Sequence, residues 1–127
     1  MPEMHLYEYA VIRVVPKIER EEFVNVGIIL FSKKEDFLEV RCQLHPEKIL
    51  LLSPGTDLEQ IEENLHSFEK IVKGGSDGGR IAEMDKASRF RWLTAVRSSC
   101  IQTTRPHSGL SYDLHTTMEK LYLEQVI

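Results

Sequence analysis

The chain has 127 residues, 42% hydrophobic and 28% charged, a balance that suits one globular domain spanning 1–127 and leaves too little apolar surface for a second core. Its formal charge of −4 argues against broad electrostatic binding to nucleic acid or an acidic membrane, so any basic surface must be local. No apolar run reaches the roughly 18 residues of a membrane span, and MPEMHLYEYAVIRVV lacks the pattern of a secretory leader, so a cytoplasmic location is expected.

Tyr7 to Val15 is rich in β-branched and aromatic residues and stops at Pro16, as a strand does. After the charged PKIEREE connection, Phe23 to Phe31 is apolar on nearly both sides and reads as the central strand. Strict alternation puts Val24, Val26, Ile28 and Leu30 on one of its faces. Beyond the SKKED turn, FLEVRCQL alternates Leu38, Val40, Cys42 and Leu44 against polar residues, which predicts a half-exposed third strand and an antiparallel meander.

His45 to Gly55, with Pro46 and Pro54, reads as an irregular crossing. Thr56 and Glu59 then form a capping-box pattern ahead of a helix whose Leu58, Ile61, Leu65, Phe68 and Val72 share one face. Residues 74–79, GGSDGG, are expected to be a flexible loop, since neither a preceding strand nor a following Gly-Lys-Ser/Thr supports a phosphate loop. Asp85 is positioned to cap a second helix running to about Arg97, and Ser111 or Asp113 a third carrying Leu114, Met118, Leu121 and Val126. Between them, Cys100 to Thr104 has room for a short strand. The predicted class is α+β: a small antiparallel sheet, a three-stranded meander plus that extra short strand, with about three helices gathered on one face.

Cys42 and Cys100 are far apart without a CxxC pair and are read as free thiols. Cys100, His107 and Asp113 resemble a nucleophile, base and orienting acid, but nothing flanking them specifies that chemistry. The five histidines lack metal-ligand spacing, so neither metal nor cofactor is expected.

On an ideal helix, Arg97 shares the arc of Phe90, Trp92, Leu93 and Val96, where a guanidinium needs a partner: the helix C-terminus and a glutamate such as Glu22, or an anionic ligand. A symmetric hairpin places Arg13 opposite Asn25 and Val11 opposite Gly27, a polar notch beside bulk-free backbone. Arg80, Lys86, Arg89, Arg91, Arg97 and Arg105 face only Glu83 and Asp85 in the same stretch, a local basic excess suited to phosphate or carboxylate.

YAVIRVVPKIEREEFVNVGIIL and RFRWLTAVRSSCIQTTRPHSGL together resemble the two signature blocks of a bacterial family known as domain of unknown function 3037, over nearly the whole chain. The shared words include EFVNVG at Glu22–Gly27, RFRWL at Arg89–Leu93, Arg97, Ser98, Gln102, His107 and Gly109. The family usually has an aliphatic residue where Cys100 stands, which weakens a cysteine mechanism. The resemblance also implies a neighbouring HipA-like kinase as a protein partner.

The leading expectation is therefore a non-catalytic binding or accessory module, serving such a kinase or an anionic small molecule through Arg13, Asn25, Arg97, Gln102 and His107 in a groove between the sheet and the second helix. The alternative is a small enzyme acting on a phosphorylated or nucleotide-like substrate, with Arg13 and Arg97 as anion clamps and His107 as general acid or base. A third reading makes Asn25, Gly27 and Arg97 a buried structural knot.

Overall fold

The computed structural model describes residues 3–97 and 99–127. Strands β1 (His5–Val14), β2 (Val24–Ser32) and β3 (Phe37–Cys42) form the expected antiparallel meander. Two more strands, β4 (Ile101–Thr103) and β5 (His107–Ser111), pair antiparallel with the free edge of β1, giving five strands among the described residues. Ile12 lies opposite Thr103 while Tyr9 lies opposite His107, so the β4–β5 line carries one residue more than β1 over the same stretch. Pro106, which has no N–H to give the ladder, falls in that interruption. Thr104 bridges it by donating its backbone N–H to the Val11 carbonyl (2.9 Å) and accepting the Val11 N–H on its hydroxyl (2.9 Å).

A second irregularity lies between β1 and β2. Arg13 is opposite Asn25, as expected, but Ile12 is opposite Gly27 and Val11 opposite Ile28, so Val26 is the extra residue of a bulge. The bulge reverses the alternation: Val24 and Val26 share a cluster with Ile29 and Phe31, whereas Ile28 and Leu30 join the opposite one. The expected common face of Val24, Val26, Ile28 and Leu30 is thus corrected, and Gly27 turns toward Ile12 and Cys42, away from the notch it was expected to share with Asn25.

Both faces of the sheet are covered. Helices α1 (Pro46–Leu52), α2 (Leu58–Lys73) and α3 (Lys86–Leu93) lie on one face, where Ile49, Ile61, Leu65, Phe68, Val72 and Phe90 pack on Ala10, Ile12, Val14 and Phe31. The Phe90 ring stacks on Phe31 with centroids 5.0 Å apart. Helix α4 (Leu114–Gln125) covers the other face, setting Leu114, Met118, Leu121, Tyr122 and Val126 on Val11, Ile28 and Leu30. The expectation of three helices on one face is corrected in number and placement, because a central strand apolar on both sides needs cover on both.

Asp85 and Asp113 cap α3 and α4 as expected, accepting N–H groups from Ser88 (2.7 Å) and from His115 (3.0 Å). The cap of α2 moves by one residue: Asp57 accepts from Gln60 (3.2 Å), while the Thr56 hydroxyl donates to the Ser53 carbonyl (2.7 Å). No helix among the described residues is long and apolar enough to cross a membrane.

Cys42 packs against Gly27, and burial pushes its thiol up to about 12. With so little thiolate at pH 8, Cys42 is expected to alkylate far more slowly in the native protein than in denaturant. Peptide mass spectrometry after an iodoacetamide time course reads this, and equal rates in the two states contradict the packing.

Candidate functional site: an arginine-flanked cleft

Strand alternation sends Arg13 to the α4 face of the sheet, in the part of β1 that lies opposite Asn25 in β2 and Gln102 in β4. Its guanidinium carbon sits 3.9 Å from the centre of the Phe23 ring, and its buried Nε has no partner among the described residues. Burial holds this guanidinium below its ordinary value, the signature of a cation without a compensating carboxylate.

Arg97 reaches the same place by another route. Helix α3 stops at Leu93, where the Thr94 hydroxyl and N–H both bond back to the Phe90 carbonyl (2.8 and 3.0 Å), so Arg97 is not on a helical face as expected. Val96, expected in the core, is 96% exposed. The Arg97 guanidinium lies 4.3 Å over the Trp92 ring and donates to the Trp92 carbonyl, which keeps the expected role at the helix C-terminus. The expected Glu22 partner is taken by Arg20 at 2.5 Å.

Arg13, Arg97 and Gln102 line one cleft of about 620 Å³, with Phe23, Val96 and Glu21 around them. Two cations, each backed by an aromatic ring and neither in an ion pair among the described residues, meet one amide and one carboxylate. Chemically this is a place for an anionic group with an apolar flank. It lies at the edge strand β4 beside Val96 and Arg97, while of the five expected residues only Arg97 and Gln102 line the groove between the sheet and α3.

The other two expected site residues stand apart. Asn25 donates to the Gln125 carbonyl (3.0 Å) and, with His45 donating to the Val126 carbonyl (3.0 Å), ties down the end of α4. His107 is opposite Tyr9, four positions along β1 from Arg13 and therefore roughly 13 Å away at strand rise. Its ring packs against Tyr9 at 5.4 Å and lines no part of the cleft. Asp113 is engaged at the start of α4, and no hydrogen bond joins Cys100, His107 and Asp113 among the described residues. Nor is there a group of His, Cys, Asp and Glu able to hold a metal among them.

The basic excess of 80–105 does not form one surface. Lys86 pairs with Asp36 (3.2 Å) and Arg91 forms a two-point bridge to Glu8 (both bonds 2.7 Å). Among the described residues the buried arginine is Arg89, only 6% exposed, whose Nη1 donates to the Ile71 and Val72 carbonyls at the end of α2 (2.9 and 2.8 Å). The anticipated Asn25–Gly27–Arg97 knot is therefore not assembled, and Arg89 does that structural work instead. One signal could have found it: Arg89 is four residues before Leu93, on the buried side of α3.

Arg91 holds the Glu8 carboxyl below its usual range; hydrogen bonds from the Ser88 hydroxyl and N–H do the same for Asp85, and those from the Thr116 N–H and hydroxyl and the His115 N–H for Asp113. Because these folded values lie below the unfolded ones, their stabilisation is complete above the unfolded values near pH 4 and fades as pH falls through the folded values. The thermal midpoint should be flat from pH 7 to about 5 and drop below about 4. Replacing Asp113 by alanine should lower the neutral-pH midpoint and make the acid drop shallower; a steeper drop contradicts the assignment.

A family model described as "Protein of unknown function (DUF3037)" matches residues 9–126. No curated protein and no solved structure matches the chain.

Proposed function

The chain belongs to the DUF3037 family, whose description assigns no activity, and from the arginine cleft we propose that it is a non-catalytic binding or accessory module of the bacterial cytoplasm that takes an anionic group between Arg13 and Arg97. The observation that carries this reading is the pair of guanidiniums, each stacked on an aromatic ring and free of ion pairs among the described residues, lining one cleft. An arginine held partly out of water without a carboxylate is costly unless an anion completes it. The anion can belong to a small molecule or to an acidic or phosphorylated protein surface, for which the family resemblance offers a HipA-like kinase. An enzyme acting on a phosphorylated substrate would use the same two clamps, and Glu21 is the carboxylate lining the cleft that could move a proton.

Titration calorimetry with pyrophosphate at low salt tests the reading in wild type, Arg13→Gln and Arg97→Gln. Binding that weakens about tenfold or more in either variant, and weakens with added salt, is expected. No binding at millimolar pyrophosphate, or equal affinity in all three proteins, overturns it.

A further inference from the structure

Among the described residues the sheet ends in free edges that are not built alike. On β3, Glu39 and Arg41 carry the charges that discourage another strand from adding, and β4 is followed by Arg105 and Pro106. Strand β5, His107–Ser111, has no fixed charge, no proline and no bulge, and only β1 pairs with it among the described residues. Backbone alternation decides what this edge presents. Val11 turns both its N–H and its carbonyl toward Thr104, so His5, Tyr7 and Tyr9, at even spacings along the same strand, direct theirs at Ser111, Gly109 and His107. The N–H and carbonyl groups of Ser108 and Leu110 therefore point away from β1, and both residues are exposed. Beside them Leu6 stands opposite Leu110, the two 60% and 58% exposed and part of neither core cluster.

We propose that β5 is a homodimer seam, two copies of the chain pairing antiparallel about a twofold axis at Gly109 and joining two sheets into one. The backbone parity fits this register. Ser108 faces the partner's Leu110, a position at which antiparallel strands exchange both main-chain hydrogen bonds. Gly109 faces the partner's Gly109 at the narrow, unbonded position, where the strands approach closest and no Cβ intrudes. The Leu6–Leu110 pairs of the two copies then share one face across the seam as diagonal neighbours. Charge fits as well. Arg105 and Asp113 lie just outside the two ends of β5, both exposed and in no ion pair among the described residues. In this register each falls beside the other's counterpart, Arg105 next to the partner's Asp113. A slip of one residue turns the bonding groups apart and separates those charges. The seam is short, which places the dissociation constant on the order of 10⁻⁵ M.

Sedimentation equilibrium from about 1 to about 500 µM should show a monomer passing into a dimer. Leu110→Lys should stay monomeric over that range and keep the wild-type thermal midpoint at its dilute end, since the leucine is exposed in the single chain. Ser108→Pro, which removes an N–H that β1 does not use, should also stay monomeric. Arg105→Glu should weaken the dimer about fivefold by setting like charges beside each other. Isotope-filtered NMR of a mixed labelled and unlabelled dimer should show an Hα–Hα contact between the Gly109 residues of the two copies. A chain that stays monomeric at about 500 µM overturns the proposal and leaves this edge to a strand of a different protein. A Leu110→Lys protein that dimerises like wild type, or a dimer without the Gly109 contact, also overturns it.

Discussion

Replacing Arg89 by methionine should cost about 3 kcal/mol and lower the thermal midpoint by roughly 10 °C. Methionine keeps most of the apolar stem but removes the donors, so the Ile71 and Val72 carbonyls at the end of α2 lose their partners inside the protein. The positive charge at that C-terminus, favourable to the helix dipole, is lost as well. Gly74 belongs to the same arrangement: its backbone is left-handed (φ 83°), and a Cβ there would stand 2.6 Å from the Arg89 Nη1. Lysine at position 89 should recover only part of the loss, because a single ammonium cannot reproduce the planar fork. Urea unfolding measures both variants, and a methionine protein within about 0.5 kcal/mol of wild type would show that Arg89 does not hold α2 to α3.

Gly27→Ala should destabilise by about 2–3 kcal/mol through overpacking. The new methyl would meet the Arg41 carbonyl oxygen at 2.8 Å and the Cys42 Sγ at 2.7 Å, and the carbonyl is fixed by the β2–β3 ladder. Adding Cys42→Ala removes the sulfur contact but leaves the carbonyl contact, so the double variant should not return to the stability of Cys42→Ala alone. Full recovery would place the strain on the side chain and remove the argument that β2 needs a glycine for backbone approach. Denaturant titration of the four proteins in this cycle reads the difference directly.

These two positions also show what the sequence could and could not reveal. The meander, the long helix α2 and the caps at Asp85 and Asp113 are written in local patterns, alternation, helical spacing and capping residues, and they appear where those patterns lie. The bulge at Val26–Gly27 depends on what β3 presses against, so alternation counted through it places Ile28 and Leu30 on the wrong face, and with them the cover supplied by α4. Helix α1 is hidden because Pro46 reads as a breaker, although proline suits the first helical turn. Strand β5, HSGLS, has no β-branched residue. Tertiary context carries it, with the Tyr7 side chain lying against Gly109, where a Cβ would come within 2.4 Å of the phenol oxygen.

For the site, the Arg13–Asn25 pairing is legible because the 15–23 connection closes the hairpin symmetrically about it. Arg97 and Arg89 exchange roles because the partners of a buried arginine here are backbone carbonyls, which leave no mark in composition. Gln102 joins Arg13 through the β1–β4 register, and the same register carries His107 away from them toward Tyr9.

The most direct test of the central claim, that Arg13 and Arg97 together hold an anion, is nitrogen-resolved NMR of the labelled protein titrated with pyrophosphate. Attention falls on the side-chain Nε–H signals of Arg13 and Arg97, the Trp92 indole N–H and the Gln102 amide. These four are expected to move together along one saturating curve while the Asn25 amide and the backbone of β5 around His107 stay in place. Shifts spread evenly over exposed lysines and arginines, with Arg13 and Arg97 no different from Arg105, would contradict it.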